Sequence, residues 1–273
     1  LQPVAWVPGM GSIRGESDCS PMVSARNPEG MAIDRSDRPR ESDMHLECRH
    51  IEFFYPGSPK PVLRDLCMCL ATPGFHALFG PSGVGKTSLA KLLTGGYTAA
   101  SGDIVSDGVD TVLYSHNQER LPGWSSVGRH LERITPDRHA ALKEILTAKF
   151  ELAPYLNQRF DQLSLGQQNR INLLRYLVQD FQVLIMDESL ANVDEQTRSR
   201  IVLTMKQAFP EVIFLYISHN VVEVAKFCSD IWVLRDAHKT PQVMKIQGQD
   251  FKDPQSTDLP SLEKTMLEMI NAA

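Results

Sequence analysis

A chain of 273 residues, 42% hydrophobic and 22% charged, is long and apolar enough to bury a real core, which excludes a disordered or fibrous protein. Its formal net charge of -5 argues against a general nucleic-acid binder, and no apolar run approaches the ~20 residues that span a bilayer, so any membrane role comes through a partner. The five cysteines (Cys19, Cys48, Cys67, Cys69, Cys228) lack CxxC spacing and read as free thiols of a reducing cytoplasm.

In chain order, residues 1–43 are rich in Gly, Pro, Ser, Arg and Asp, show no apolar periodicity, and are expected to form an unpacked N-terminal extension. Two strands are then predicted, at 46–55 and 62–70, joined through Pro56-Gly57-Ser58-Pro59 as an antiparallel lead-in. Tyr55 ends the first, where its ring either stacks on a base or simply packs. Next, His76-Ala77-Leu78-Phe79 runs through Gly80-Pro81-Ser82-Gly83-Val84-Gly85 into Lys86-Thr87-Ser88, matching G-x-x-x-x-G-K-[ST] in a strand, loop and helix frame. The glycines let main-chain N–H groups approach a phosphate, and the helix start adds open donors and the positive end of its dipole. Lys86 is placed to reach β- and γ-phosphates, and the Thr87 hydroxyl to hold Mg²⁺. Leu89, Leu92 and Leu93 recur at helical spacing until Gly95-Gly96.

Strands at 102–105 and 111–114 follow, the second leading into polar residues that can reach a site at its edge. Residues 125–162 read as a compact helical insertion with Leu131, Ile134, Leu142, Ile145, Leu146 and Leu152 expected inside. Ser164 and Gly166 stand before an apolar helix at 171–178, which suits either a second anion site or an ordinary helix cap. Val183-Leu184-Ile185-Met186 is a continuous apolar strand ending in Asp187 and Glu188, the first suited to Mg²⁺ and the second to polarising a water that attacks a γ-phosphate. A helix at 195–209 and a buried strand at 212–217 lead to Ser218-His219. His219 thus emerges at the same edge as the two acids and is read as a γ-phosphate contact. Strands at 231–234 and 243–246 close the sheet, and an amphipathic helix at 259–270 ends the chain.

Residues 44–273 together resemble the ATP-binding subunit of ABC transporters. The resemblance implies an α/β fold of the P-loop NTPase, ABC ATPase type, with a mostly parallel central sheet, the antiparallel β lead-in, and a helical subdomain at about 120–180. It makes Tyr55 the adenine-stacking aromatic, residues 80–88 the Walker A loop, and Gln118 the Q-loop glutamine that senses Mg²⁺ and the membrane partner. Leu163-Ser164-Leu165-Gly166-Gln167 falls on the signature LSGGQ, with Ser164, Gly166 and Gln167 on nucleotide; Asp187 and Glu188 end Walker B, Asp194 is the D-loop aspartate and His219 the switch histidine. The implied catalytic set is Glu188, His219, Lys86 and Gln118, and the metal set Thr87, Gln118 and Asp187. Several positions depart from the family pattern: Leu165 at the usual first glycine of the signature, Ser189 where Pro is usual, Ala191-Asn192-Val193-Asp194 for the D-loop, and Asn220 where Asp is common. No catalytic group is lost, so an active ATPase is expected.

Residues 118–124, 194–198 and the tail from Asp258 look like the nitrate, sulfonate and taurine importer branch. That resemblance implies ATP and Mg²⁺, a head-to-tail homodimer, a transmembrane permease, a periplasmic substrate-binding protein, and a peripheral place on the cytoplasmic face of the membrane, with no nucleic acid. The alternative is a soluble ABC-type ATPase acting on a ribosome, DNA or another protein.

Overall fold

The structure, a computed structural model, describes residues 44–117, 119, 123–252 and 258–273. The expectations for 1–43 and for Gln118 lie outside the described residues.

Two sheets carry the fold. β1 (His45–Phe54) pairs antiparallel with β2 (Pro61–Leu70) on one side and β4 (Ser101–Asp107) on the other. The second sheet runs in the order β5 (Val112–His116), β6 (Val183–Asp187), β7 (Ile213–Ile217), β3 (Gly74–Phe79), β8 (Asp230–Leu234) and β9 (Val243–Gln247). Its first five strands are parallel and only β9 is reversed. This is the expected mixed arrangement, with the strand near 102–105 assigned to the lead-in sheet.

Why the central strands sit inside follows from their composition. β6 and β7 are buried at every position, as a parallel strand covered on both faces must be. Period-two alternation sends Phe75, Ala77, Leu184, Met186 and Phe214 into one core with the helices, and Leu78, Val183, Ile185 and Leu215 into a second core beneath α1 (Lys86–Leu93) and the three-stranded sheet. Phe214 is fully buried against Phe75, ring centroids 4.6 Å apart, and truncation to Ala would cost about 3–5 kcal/mol.

The first core is covered by α2 (Val127–Ile134), α3 (Ala140–Lys149), α4 (Leu165–Leu177), α5 (Glu195–Ala208), α6 (Val221–Phe227) and α7 (Leu259–Ala272). Leu131, Leu146 and Leu152 are buried as expected, but Ile145 is 55% exposed: it lies beside Leu146 on α3, and the helix turns only one of these adjacent positions inward. α4 begins six residues earlier than the apolar run, at Leu165, because Ser164 caps it there.

Besides the second core, which the two sheets share, a buried side chain links them by hydrogen bonds. Gln242, 3% exposed and just before β9, donates Nε2 to the carbonyls of Val62 (2.9 Å) and Arg235 (3.2 Å), while its Oε1 accepts the Arg64 N–H (2.8 Å).

In the strand order, β5, β6, β7 and β3 are consecutive neighbours. The loops leaving their carboxyl ends therefore emerge side by side, at the edge where open α/β sheets bind ligands.

Candidate active site

The loop after β3 is shaped by Gly85, the residue before α1, which has φ +108° and carries no side-chain acceptor for the helix. A Cβ there would come within 2.8 Å of Val62 Cγ1, so only glycine admits both the backbone angle and the close approach of β2. The first-turn N–H groups of α1 are consequently left without a capping side chain, which is what an anion needs. Lys86 is buried and its Nζ donates to the carbonyls of Gly80 (2.8 Å) and Pro81 (2.7 Å). Burial holds its ammonium below the ordinary lysine range against the opposing pull of Asp187 and Glu188.

The loop meets the acids of β6 directly. Thr87 Oγ1 donates to Asp187 Oδ2 at 2.7 Å, and the Tyr114 hydroxyl donates to the same oxygen at 2.8 Å. Thr87, its proton committed to Asp187, keeps its oxygen lone pairs for a cation. One hydroxyl, a second-sphere carboxylate and space for phosphate oxygens and waters is a donor set suited to Mg²⁺, and no cluster of three or more His, Cys, Asp or Glu able to hold a metal occurs among the described residues.

Glu188 follows in the left-handed region at φ +52°, its N–H donating to Ile217 O across to β7 (3.0 Å). A residue without glycine's freedom persists in that conformation only where its surroundings impose it. The turn aims the carboxylate into the cleft, where His219 Nε2 lies 2.9 Å from Oε1 and Asn117 Nδ2 donates to Oε2 at 3.2 Å. Tyr55, at the cleft mouth, hydrogen-bonds through its hydroxyl to Ser88 Oγ (2.7 Å) and meets Tyr97 edge-on, with ring centroids 6.2 Å apart.

Tyr55, Ser82, Gly83, Gly85, Lys86, Thr87, Ser88, Asp187, Glu188 and His219 thus line one cleft of about 170 Å³. Gly80, Pro81 and Val84 shape its loop from behind, Gly80 and Pro81 by accepting from Lys86 and Val84 by packing on the second core. Ser164, Gly166, Gln167 and Asp194, also predicted, lie outside the cleft. Ser164 and Gln167 form a capping box, Ser164 Oγ accepting the Gln167 N–H (3.3 Å) and Gln167 Oε1 accepting the Ser164 N–H (2.8 Å). At Gly166 a Cβ would fall 2.5 Å from Asn192 O, so this glycine lets the loop after β6 lie on α4. Asp194 caps α5, Oδ1 accepting the Thr197 N–H at 2.9 Å, and that amide hydrogen bond lowers its pKa.

Sequence reasoning missed Tyr114 and Asn117. A signal was present for the first: Val112, Tyr114 and His116 share a face of β5, as Val183, Ile185 and Asp187 share one of β6, and the register sets His116 beside Asp187. The departures from the family pattern also find local reasons. Ser189 Oγ donates to the Ser115 carbonyl and hydrogen-bonds with the Ser115 hydroxyl (both 2.9 Å), tying β5 to the loop after β6, and Asn220 Oδ1 caps α6 on the Glu223 N–H (3.1 Å). Leu165 is 62% exposed, and nothing in the structure explains its choice.

A parallel sheet whose glycine loop and neighbouring acid strand meet through a hydroxyl in this manner belongs to the P-loop nucleoside triphosphatases. Comparison narrows the class. Residues 63–191 match the family model described as ABC transporter. The taurine import ATP-binding protein TauB of a Pseudomonas fluorescens strain is 31% identical over 204 residues, covering 69% of this chain and 77% of the relative. That of a Pseudomonas putida strain is 32% identical over 206 residues, covering 69% and 78%. The fold is shared with a bacterial Atm1-family ABC exporter with ATP bound (TM-score 0.67, 19% identity, 88% of this chain and 44% of that one). It is shared too with a putative metal-chelate type ABC transporter in an inward-facing conformation (TM-score 0.61, 17% identity, 75% and 83%). The chain belongs to the ABC transporter family.

Proposed function

We propose that this chain is the ATP-hydrolysing subunit of a bacterial importer of the taurine and sulfonate kind. It works as a homodimer beneath a transmembrane permease fed by a periplasmic binding protein, peripheral to the cytoplasmic face of the membrane. No helix among the described residues is long and apolar enough to cross a membrane, so the permease would supply the passage. The observation that carries the reading is the meeting of Thr87 with Asp187 beside the Glu188 and His219 pair, all in the cleft that the phosphate loop opens.

In this reading the loop amides and Lys86 bind the phosphates of ATP, and Tyr55 offers its ring to the adenine. Thr87 directly and Asp187 behind it would hold Mg²⁺, which supplies charge neutralisation at the β- and γ-phosphates. Glu188 takes the proton of the attacking water as general base. His219, already on Glu188, is placed to exchange that bond for the γ-phosphate. No observation favours the alternative of a cassette acting on a ribosome or DNA.

The test is Lys86→Ala, which removes the one buried ammonium of the cleft. ATPase activity is expected to fall by two orders of magnitude or more, the scale of losing a charge-stabilising donor in a phosphoryl or acyl transfer site. Near-normal turnover would overturn the assignment. Co-purification with a permease pair, and uptake by the reconstituted assembly, tests the transport half.

A further inference from the structure

Glu223 is a carboxylate where a packed helix would ordinarily place an apolar residue: it is 7% exposed, on the inner side of α6. A buried charge persists only with partners, and those of Glu223 are concentrated on Oε2. The Tyr216 hydroxyl donates to it at 3.0 Å, Arg198 Nη1 at 3.3 Å and Ser218 Oγ at 3.4 Å.

The origin of these donors gives the cluster its meaning. Tyr216 and Ser218 stand just before His219, and Asn220 just after it sends its N–H to Ser218 Oγ (3.2 Å) and its side chain to the Glu223 N–H. Both neighbours of His219 are therefore tied to Glu223. In the other direction Arg198, in the first turn of α5, gives its second guanidinium nitrogen to the Val193 carbonyl, in the loop between β6 and α5. That loop rests on α4, where Asn169 donates to the Ala191 carbonyl and Gly166 lies against Asn192. Polar contacts from Ser218 and Asn220 through Glu223 and Arg198 to Val193 and from Ala191 to Asn169, bridged by short stretches of backbone and by the close packing of Gly166 on Asn192, thus run from the neighbours of His219 to the first turns of α4.

We infer that Glu223 and Arg198 form a strut that positions His219 relative to the loop 189–194 and the Ser164 end of α4, so that a change at one is felt at the other. The inference rests on the proposed reading of His219 as the γ-phosphate contact. Neither residue reaches the cleft, so both are positioning residues. The strut's role is in coordinating turnover, and nucleotide affinity does not depend on it.

Full-length chains carrying Glu223→Gln, Arg198→Met, and both together separate this role from a merely structural one, with thermal midpoint, MgATP affinity, kcat and KM read for each. The single variants leave a buried partner uncompensated and lose stability, whereas the double variant removes both charges and regains it. The strut requires that kcat stay about tenfold down in the double variant while MgATP affinity remains within about twofold of wild type. Recovery of kcat together with the thermal midpoint would overturn it, as would unchanged kcat in a folded Glu223→Gln chain. If the single variants do not fold, Ser218→Ala, which removes one donor, is expected to lower kcat about threefold at constant affinity, and an unchanged kcat would again overturn the strut. Glu188→Gln run alongside tells the two readings apart. Wild-type turnover in that chain would overturn the site assignment itself, and its loss beside a normal Glu223→Gln chain would overturn the strut alone.

Discussion

The protein has two helix starts built from small residues and glycine, and they end up in opposite states. At α1 the preceding Gly85 offers no acceptor, so the first-turn donors stay open over the cleft, with Lys86 buried beneath the loop and the exposed Thr87 bonded to Asp187. At α4 the Ser164 and Gln167 side chains close on each other's backbone, outside the cleft and at the surface. A helix N-terminus becomes an anion site only when its donors are left uncapped. In the proposed reading the first start serves the chain's own phosphate, and the second is self-satisfied until something replaces the box.

The sharpest way to break this contrast is to disable chemistry at the first start without emptying it. Glu188→Gln is expected to slow hydrolysis by roughly 10²- to 10⁴-fold while ATP still binds, read by single-turnover hydrolysis beside a binding titration. Loss of binding in a folded variant would make Glu188 structural.

The next measurement asks whether the second start serves a facing copy. Lys86→Ala and Ser164→Arg chains, each inactive alone, are expected to recover part of the ATPase activity on mixing, since one mixed pair keeps one intact composite site. Wild-type activity strictly proportional to concentration down to monomeric protein would leave the α4 end without a role in hydrolysis.

A smaller effect sharpens the contrast at the cleft mouth. Tyr55→Ala is expected to weaken ATP binding by about 1–3 kcal/mol through lost stacking. Tyr55→Phe keeps the ring but strands the buried Ser88 hydroxyl, so its cost of about 1–3 kcal/mol belongs to folding. Nucleotide titration and thermal melting of both variants separate the two. Smallest of all, Ser164→Ala removes a cap and is expected to cost about 0.5–2 kcal/mol of stability, checked by denaturant unfolding.

Much of this was legible in the sequence because the informative stretches are contiguous. The strand, loop and helix at 76–93, the apolar run ending in Asp187 and Glu188, and the strand ending at His219 each announce their own edge, and the parallel sheet gathers them. What stayed hidden depends on contacts between distant strands. Tyr114 reads as a packing aromatic until the β5 and β6 register brings it to Asp187, and Asn117 is one polar residue among many until Glu188 turns towards it. The start of α4 was masked by its polar first turns, which carry no apolar periodicity. Glu223 looks like an ordinary surface acid on a short helix, and only the packing of α6 against β7 and α5 makes it a buried one.

Gln242 has a consequence that reaches beyond the cleft. The Val62 carbonyl and Arg64 N–H are the outward groups of an unpaired strand margin, the pattern to which an invading strand from another molecule would bind. The Gln242 amide engages both with one carbonyl and one NH₂, imitating a single peptide unit of a neighbouring strand. At that point β2 has its partner within the same chain, and two copies cannot zip together there into a continuous ladder. On this stretch of β2, protection against edge-to-edge pairing thus rests on one buried side chain, which a substitution to an apolar residue would withdraw.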